Sequence, residues 1–196
     1  MERKADPETA DAYLALIRER LPQRTVRHTL SVTALIMQVA ERLDLNRASA
    51  LAAGMLHDLH KADRKQDLLD AAEAFGIPIL PVHRDRPKLL HGPVAAEDAR
   101  RLFNIDDDAY EAIYWHTTGK RGLGMVGRAL YFADYSEALR DHPEAPRARA
   151  LLDEQGFDAA LLYVADCKFA YVRQRPPVDP NTAEFHAWLH EMETHS

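Results

Sequence analysis

The segment Ala50-Leu51-Ala52-Ala53-Gly54-Met55-Leu56-His57-Asp58-Leu59-His60-Lys61 decides how the chain is read. Its apolar residues recur at helical spacing: Leu51 and Met55 run on to Asp58, while Ala50 and Gly54 run on to His57. A helix therefore ends in a histidine and an aspartate, with the carboxylate on the buried side. A bare buried carboxylate is costly, so Asp58 demands a partner.

The same period prevails on both sides. Helices are expected over residues 7–21, 24–43, 46 to the 56–59 region, 64–75, 93–103, 107–117, 125–140, 145–154, 157–174 and 181–193. Asp6 and Pro7 pair as cap and first helical residue, Pro22 closes the first helix, and Asn46 caps the third. Pro78, Pro81 and Pro87 mark a connection, and no run alternates as a strand would. The expected fold is all-α, a helical bundle.

With 196 residues and 46% hydrophobic content, one domain over residues 1–196 is expected. Residues 1–22 would hold its N-terminal helix, and residues 181–193 a docked C-terminal helix. No apolar run approaches a membrane span and no apolar leader precedes the first helix, so a cytoplasmic protein without a membrane partner is expected. A net charge of −6 provides no basic stripe for nucleic acid. Cys167 is the single cysteine, which excludes an intrachain disulfide and reads as an inert thiol on a helix.

Other polar residues continue apolar stripes. Val32, Leu35 and Val39 extend backwards to His28; Ala109, Ala112 and Ile113 lead to His116; Val126 and Leu130 lead to Asp134; and His91 precedes Gly92-Pro93 at a helix start. Any one of these alone is more often a hydrogen-bonded core residue than a ligand. Together, four histidines and two aspartates from five segments suit Fe, Mn, Co, Ni or Zn. His60, His83, His142, His186, His190 and His195 fall in less ordered or polar contexts and read as surface or structural residues.

His28, His57-Asp58 and Asp134 resemble the H…HD…D signature of HD-domain phosphohydrolases, which are all-helical. Further segments narrow the resemblance to the YqeK family of bacterial HD proteins over roughly residues 10–193: Arg27-His28-Thr29-Leu30-Ser31-Val32, Ala53 to Lys61, Leu90-His91-Gly92, His116-Thr117-Thr118-Gly119 and Ala133-Asp134-Tyr135-Ser136-Glu137. The chain departs from the family at Ala138, where a proline is usual, and at His60, where a small or apolar residue is usual.

The resemblance implies hydrolysis of diadenosine tetraphosphate to two ADP at a two-metal, di-iron centre; manganese and cobalt suit the same donors. It implies that His28, His57, Asp58 and Asp134 hold one ion and Asp58, His91 and His116 the other, with Asp58 catalytic and bridging. Two such cations would make the pocket positive in an acidic protein and would acidify water. Lys61, one turn after Asp58, is a candidate for catalysis and phosphate binding, and Arg27, Thr117, Gly119 and Arg140 are candidate substrate contacts. The loop from Gly119 to Gly124 reads either as a helix cap or as a cover over phosphates. Two other readings stay open: an HD hydrolase of nucleoside monophosphates or guanosine tetraphosphate, and a metal-containing binding protein without turnover. A small-molecule nucleotide is the expected partner. Tyr163, Phe169, Tyr171 and Trp188 leave internal packing or a homodimer contact open.

Overall fold

Asn46 and Gly54 fix the crossing on which the bundle is built. The Asn46 side chain accepts hydrogen bonds from the Ala48 and Ser49 amides and so starts α3 (Arg47–Leu56). Gly54 lets α3 lie against α2 (Gln23–Arg42): a Cβ at this position would meet Thr33 Cα and Oγ1 at 2.9 Å and Ile36 at 3.0 Å. A computed structural model describes residues 7–194, so the Asp6 cap and His195 lie outside the described residues.

Around this crossing the order is α1 (Pro7–Arg20), α2, α3, α4 (Lys65–Phe75), α5 (Pro81–Asp85), a 3-10 turn (Pro87–Leu90), α6 (His91–Phe103), α7 (Asp107–Trp115), α8 (Met125–Ser136), α9 (Glu144–Glu154), α10 (Phe157–Arg173) and α11 (Pro180–Glu193). No strand occurs among the described residues, and the expected all-α fold is observed. One buried cluster runs through Tyr13, Ile36, Leu56, Ile113, Leu130, Leu161 and Phe185, so α1 and α11 at the two ends share it with α2, α3, α7, α8 and α10. A smaller cluster of Leu68, Ala72, Ile77, Leu90 and Val94 seats α4.

Most boundaries fall within two residues of expectation, and three differences have a clear physical cause. The proline-rich connection contains α5 and the 3-10 turn, because Pro81 and Pro87 occupy first helical positions, where a missing N–H costs nothing. α6 starts at His91, two residues early. α8 ends at Ser136 rather than near residue 140: Glu137 turns extended (ψ 159°), and its carboxylate accepts from the Leu139 amide. Cys167 is half-buried, and burial pushes its thiol pKa up, which keeps it protonated.

Candidate metal centre

Helix ends deliver three of the histidines. His57 is the C-cap of α3, His116 the C-cap of α7, and His91 the first residue of α6. His28 comes from the first turns of α2 and Asp134 from the last turn of α8. Gly92 allows α6 to start against His116, since a Cβ there would meet its ring at 3.0 Å.

Asp58, almost fully buried, divides the cluster. Its Oδ2 lies 3.6 Å from the Nε2 atoms of both His28 and His57, and Asp134 Oδ1 closes this side at 3.1 Å from His28 and 3.9 Å from His57. Its Oδ1 faces the other side, 3.1 Å from His91 Nε2 and 3.7 Å from His116 Nε2. All six sequence-selected donors are therefore in one place, split into two sets that share one carboxylate.

The histidine tautomers test whether metal ions fit here. Nδ1 of His57, His91 and His116 lies 2.9, 2.5 and 2.8 Å from the carbonyl oxygens of Gly54, Lys88 and Ile113, each three residues earlier. Only an Nδ1–H can donate to a carbonyl, so each Nε2 carries a lone pair directed into the cluster. His57 Nε2 is buried without a hydrogen-bond partner, and His91 and His116 place their Nε2 atoms 2.9 Å from one another. Facing lone pairs repel unless a cation lies among them. A histidine held through its second nitrogen is the usual support for a metal ligand, and the donor set fits divalent transition metals.

Protonation states agree. Burial lowers the pKa values of His91 and His116 and brings that of His57 down to about 4, so these rings are neutral. Burial alone would raise the Asp58 carboxyl, but its neighbours, the Lys61 ammonium among them, hold it well below the usual carboxylate range. Asp134 is held down likewise against burial by His28, Arg140 and Lys61. Neutral imidazoles beside ionised carboxylates are the forms that bind metals.

Cations surround this core. Lys61 Nζ lies 3.4 Å from both Asp58 Oδ1 and His91 Nε2, with its side chain 44% exposed. Arg140 donates to the Asp134 carboxylate and carbonyl, both at 2.8 Å. Thr117 Oγ1 is 3.1 Å from His116 Nε2. Two expected substrate contacts are not brought in. Arg27 is exposed on α2 and pairs with none of the cluster. Gly119 has its N–H donated to the Trp115 carbonyl and the Phe185 ring over its Cα, at a φ of +71° that suits glycine, so it serves packing instead. The loop cations are engaged elsewhere, Lys120 with Glu111 and Arg121 with Glu191.

Two residues to which the sequence reading gave no role lie beside the cluster. Glu137 Oε1 lies 3.0 Å from His28 Nδ1 and orients that ring. Lys168 on α10 sets its ammonium 3.6 Å from the Tyr131 ring centre and 3.4 Å from the His116 carbonyl, and burial lowers its pKa to about 8. The signal for Lys168 was present, since Leu161, Val164 and Ala165 lead to it at helical spacing.

A model of the HD domain family matches residues 25–166. The Bacillus subtilis protein named bis(5'-nucleosyl)-tetraphosphatase, symmetrical, is 27% identical over 179 residues, covering 90% of this chain and 95% of its own. A Staphylococcus aureus protein of the same name is 29% identical over 144 residues, covering 72% of this chain and 73% of its own. The crystal structure of a predicted HD superfamily hydrolase involved in NAD metabolism, from Clostridium acetobutylicum, shares the fold: the TM-score is 0.87 at 24% identity, over 93% of this chain and 97% of that one.

Proposed function

The chain belongs to the HD domain family of hydrolases, and from that premise we propose that it cleaves diadenosine tetraphosphate symmetrically, adding one water to yield two ADP. The observation carrying this reading is the division of Asp58 between two sets of histidine lone pairs. Its support is the name borne by two relatives that align over most of their lengths.

His28, His57, Asp58 and Asp134 would hold one ion and Asp58, His91 and His116 a second, with iron as the proposed resident and manganese or cobalt suited to the same donors. Such ions supply Lewis acidity and lower the pKa of water toward about 7. The remaining work falls to the chain. Lys61, beside Asp58 and open to solvent, meets a phosphoryl group and offsets charge on the leaving ADP. Arg140 and Lys168, flanking Asp134 and His116, take the rest of a polyanionic chain. Thr117 offers a hydroxyl beside His116. Glu137 keeps His28 turned inward. The substrate is a small-molecule nucleotide, and no described helix is long and apolar enough to cross a membrane.

Chromatography of the products formed by metal-loaded protein tests the proposal. ADP alone is expected. ATP plus AMP would contradict the cleavage position. Turnover of guanosine tetraphosphate or nucleoside monophosphates in place of the dinucleotide would reassign the substrate, and intact nucleotides throughout would leave a binding protein.

A further inference from the structure

On the opposite side of α10 from its buried stripe, a second group of donors takes no part in this chemistry. His186 and His190 are one turn apart on α11, and each places Nε2 2.8 Å from the same oxygen, Oδ1, of Asp166 on α10. Their ring centroids are 4.7 Å apart. His186 is stacked on Phe169 at 4.2 Å and 19°, which fixes its plane. Three donors from two packed helices thus converge within 4.8 Å of one another.

Two Nε2–H groups donating to one oxygen would also satisfy this contact, so the spacing has to be weighed. Metal–ligand bonds of about 2.0–2.1 Å put neighbouring donors about 2.9 Å apart around an octahedral ion and about 3.4 Å apart around a tetrahedral one. The observed 2.8 Å separations match the octahedral edge. Two imidazoles and a carboxylate are borderline donors that favour the later divalent metals of the first row. Side-chain exposures of 49% for Asp166, 44% for His190 and 21% for His186 leave room for water in the remaining positions.

We propose that Asp166, His186 and His190 form a separate, exchangeable site for a divalent transition-metal ion such as nickel, clipping α11 to α10. The clip has a mechanical target. Phe185, adjacent to His186, packs against Tyr131 at 4.9 Å and covers Gly119, in the loop that leaves His116. Fixing α11 therefore steadies the wall behind one half of the metal centre.

Calorimetric titration of tag-free, metal-loaded protein with Ni2+ tests this, with melting temperature as a second readout. One equivalent beyond the content of the centre is expected, together with a rise in melting temperature. His190→Gln, a change at an exposed position, should weaken this binding at least tenfold while leaving turnover and the nickel-free melting temperature unchanged. The double variant His186→Gln/His190→Gln should lose both the extra equivalent and the thermal response. Retention of the extra equivalent at unchanged affinity in the double variant, or no uptake by the wild type, would overturn the proposal.

Discussion

Lys168 and Glu137 are single residues that flank the six clustered donors, one at the His116 carbonyl and one at His28 Nδ1. An ammonium resting on Tyr131 and donating to the His116 carbonyl is held in place before any phosphate arrives. Replacing it as Lys168→Met should lower kcat/KM by roughly 10²-fold, the usual cost of one preorganised charge-stabilising donor. Bound metal should be unchanged, so elemental analysis beside kinetics separates substrate binding from metal loss. Glu137→Gln weakens the hold on His28 Nδ1 and should reduce metal affinity about 10–100-fold, read by competition with a chelator. Five of the six candidate donors were legible because each continues an apolar stripe, and His91 because it stands before Gly92-Pro93 at a helix start, patterns that need no tertiary knowledge. Lys168 continues such a stripe too, but a lysine there reads equally well as a side chain reaching for solvent. The role of Glu137 depended on where α8 stops.

Helix boundaries carried less information than helix faces, for a physical reason. α8 ends at Ser136 because Glu137 and Arg140 make side-chain bonds to nearby backbone, and such local competition leaves little trace in hydrophobic periodicity. The α2–α3 crossing is likewise set by a missing side chain. Gly54→Ala would drive a methyl into Thr33 Cα, a backbone atom that can move only with its helix. A loss of about 1–3 kcal/mol in urea denaturation is expected, with weaker metal retention because His57 moves relative to His28. Between α1 and α6, Asp98 binds both Arg20 and His60. Its carboxyl is held down to about 2, by the His60 hydrogen bond first and the Arg20 contact next, against the opposing effect of burial. A depressed folded pKa stabilises above the unfolded value of about 3.9, and that stability is lost as pH falls through about 2. Acid titration of unfolding free energy should therefore show a steeper loss between these limits for wild type than for Asp98→Asn.

The whole molecule combines an acidic net charge with a local concentration of positive charge, which is what the proposed polyanionic substrate would need. The chain carries a net charge of −6, yet Lys61, Arg140 and Lys168 all flank the same two aspartates and His116. The all-helical architecture was legible because helical period dominates the chain. Which helices abut was not, because that depends on contacts such as Thr33 against Gly54. Since the candidate donors come from five helices or their ends, the proposed cations would hold the bundle together as well as equip it. Each ion at about a thousandfold over its dissociation constant would add about 4 kcal/mol, and at roughly 2–4 °C per kcal/mol for a chain of this size, each ion stripped with a chelator should lower the melting temperature by roughly 8–16 °C. Calorimetry of chelated and reloaded protein checks this.

Asp134 follows His28 by 106 positions, and that separation matters during synthesis. A ribosome releases the early imidazoles long before the carboxylate that completes their set, so the nascent chain passes through a period of exposed, half-built chelation. Chains that end before Asp134 would hold the proposed cations loosely, and firm uptake would wait until α8 has emerged and folded back onto α2.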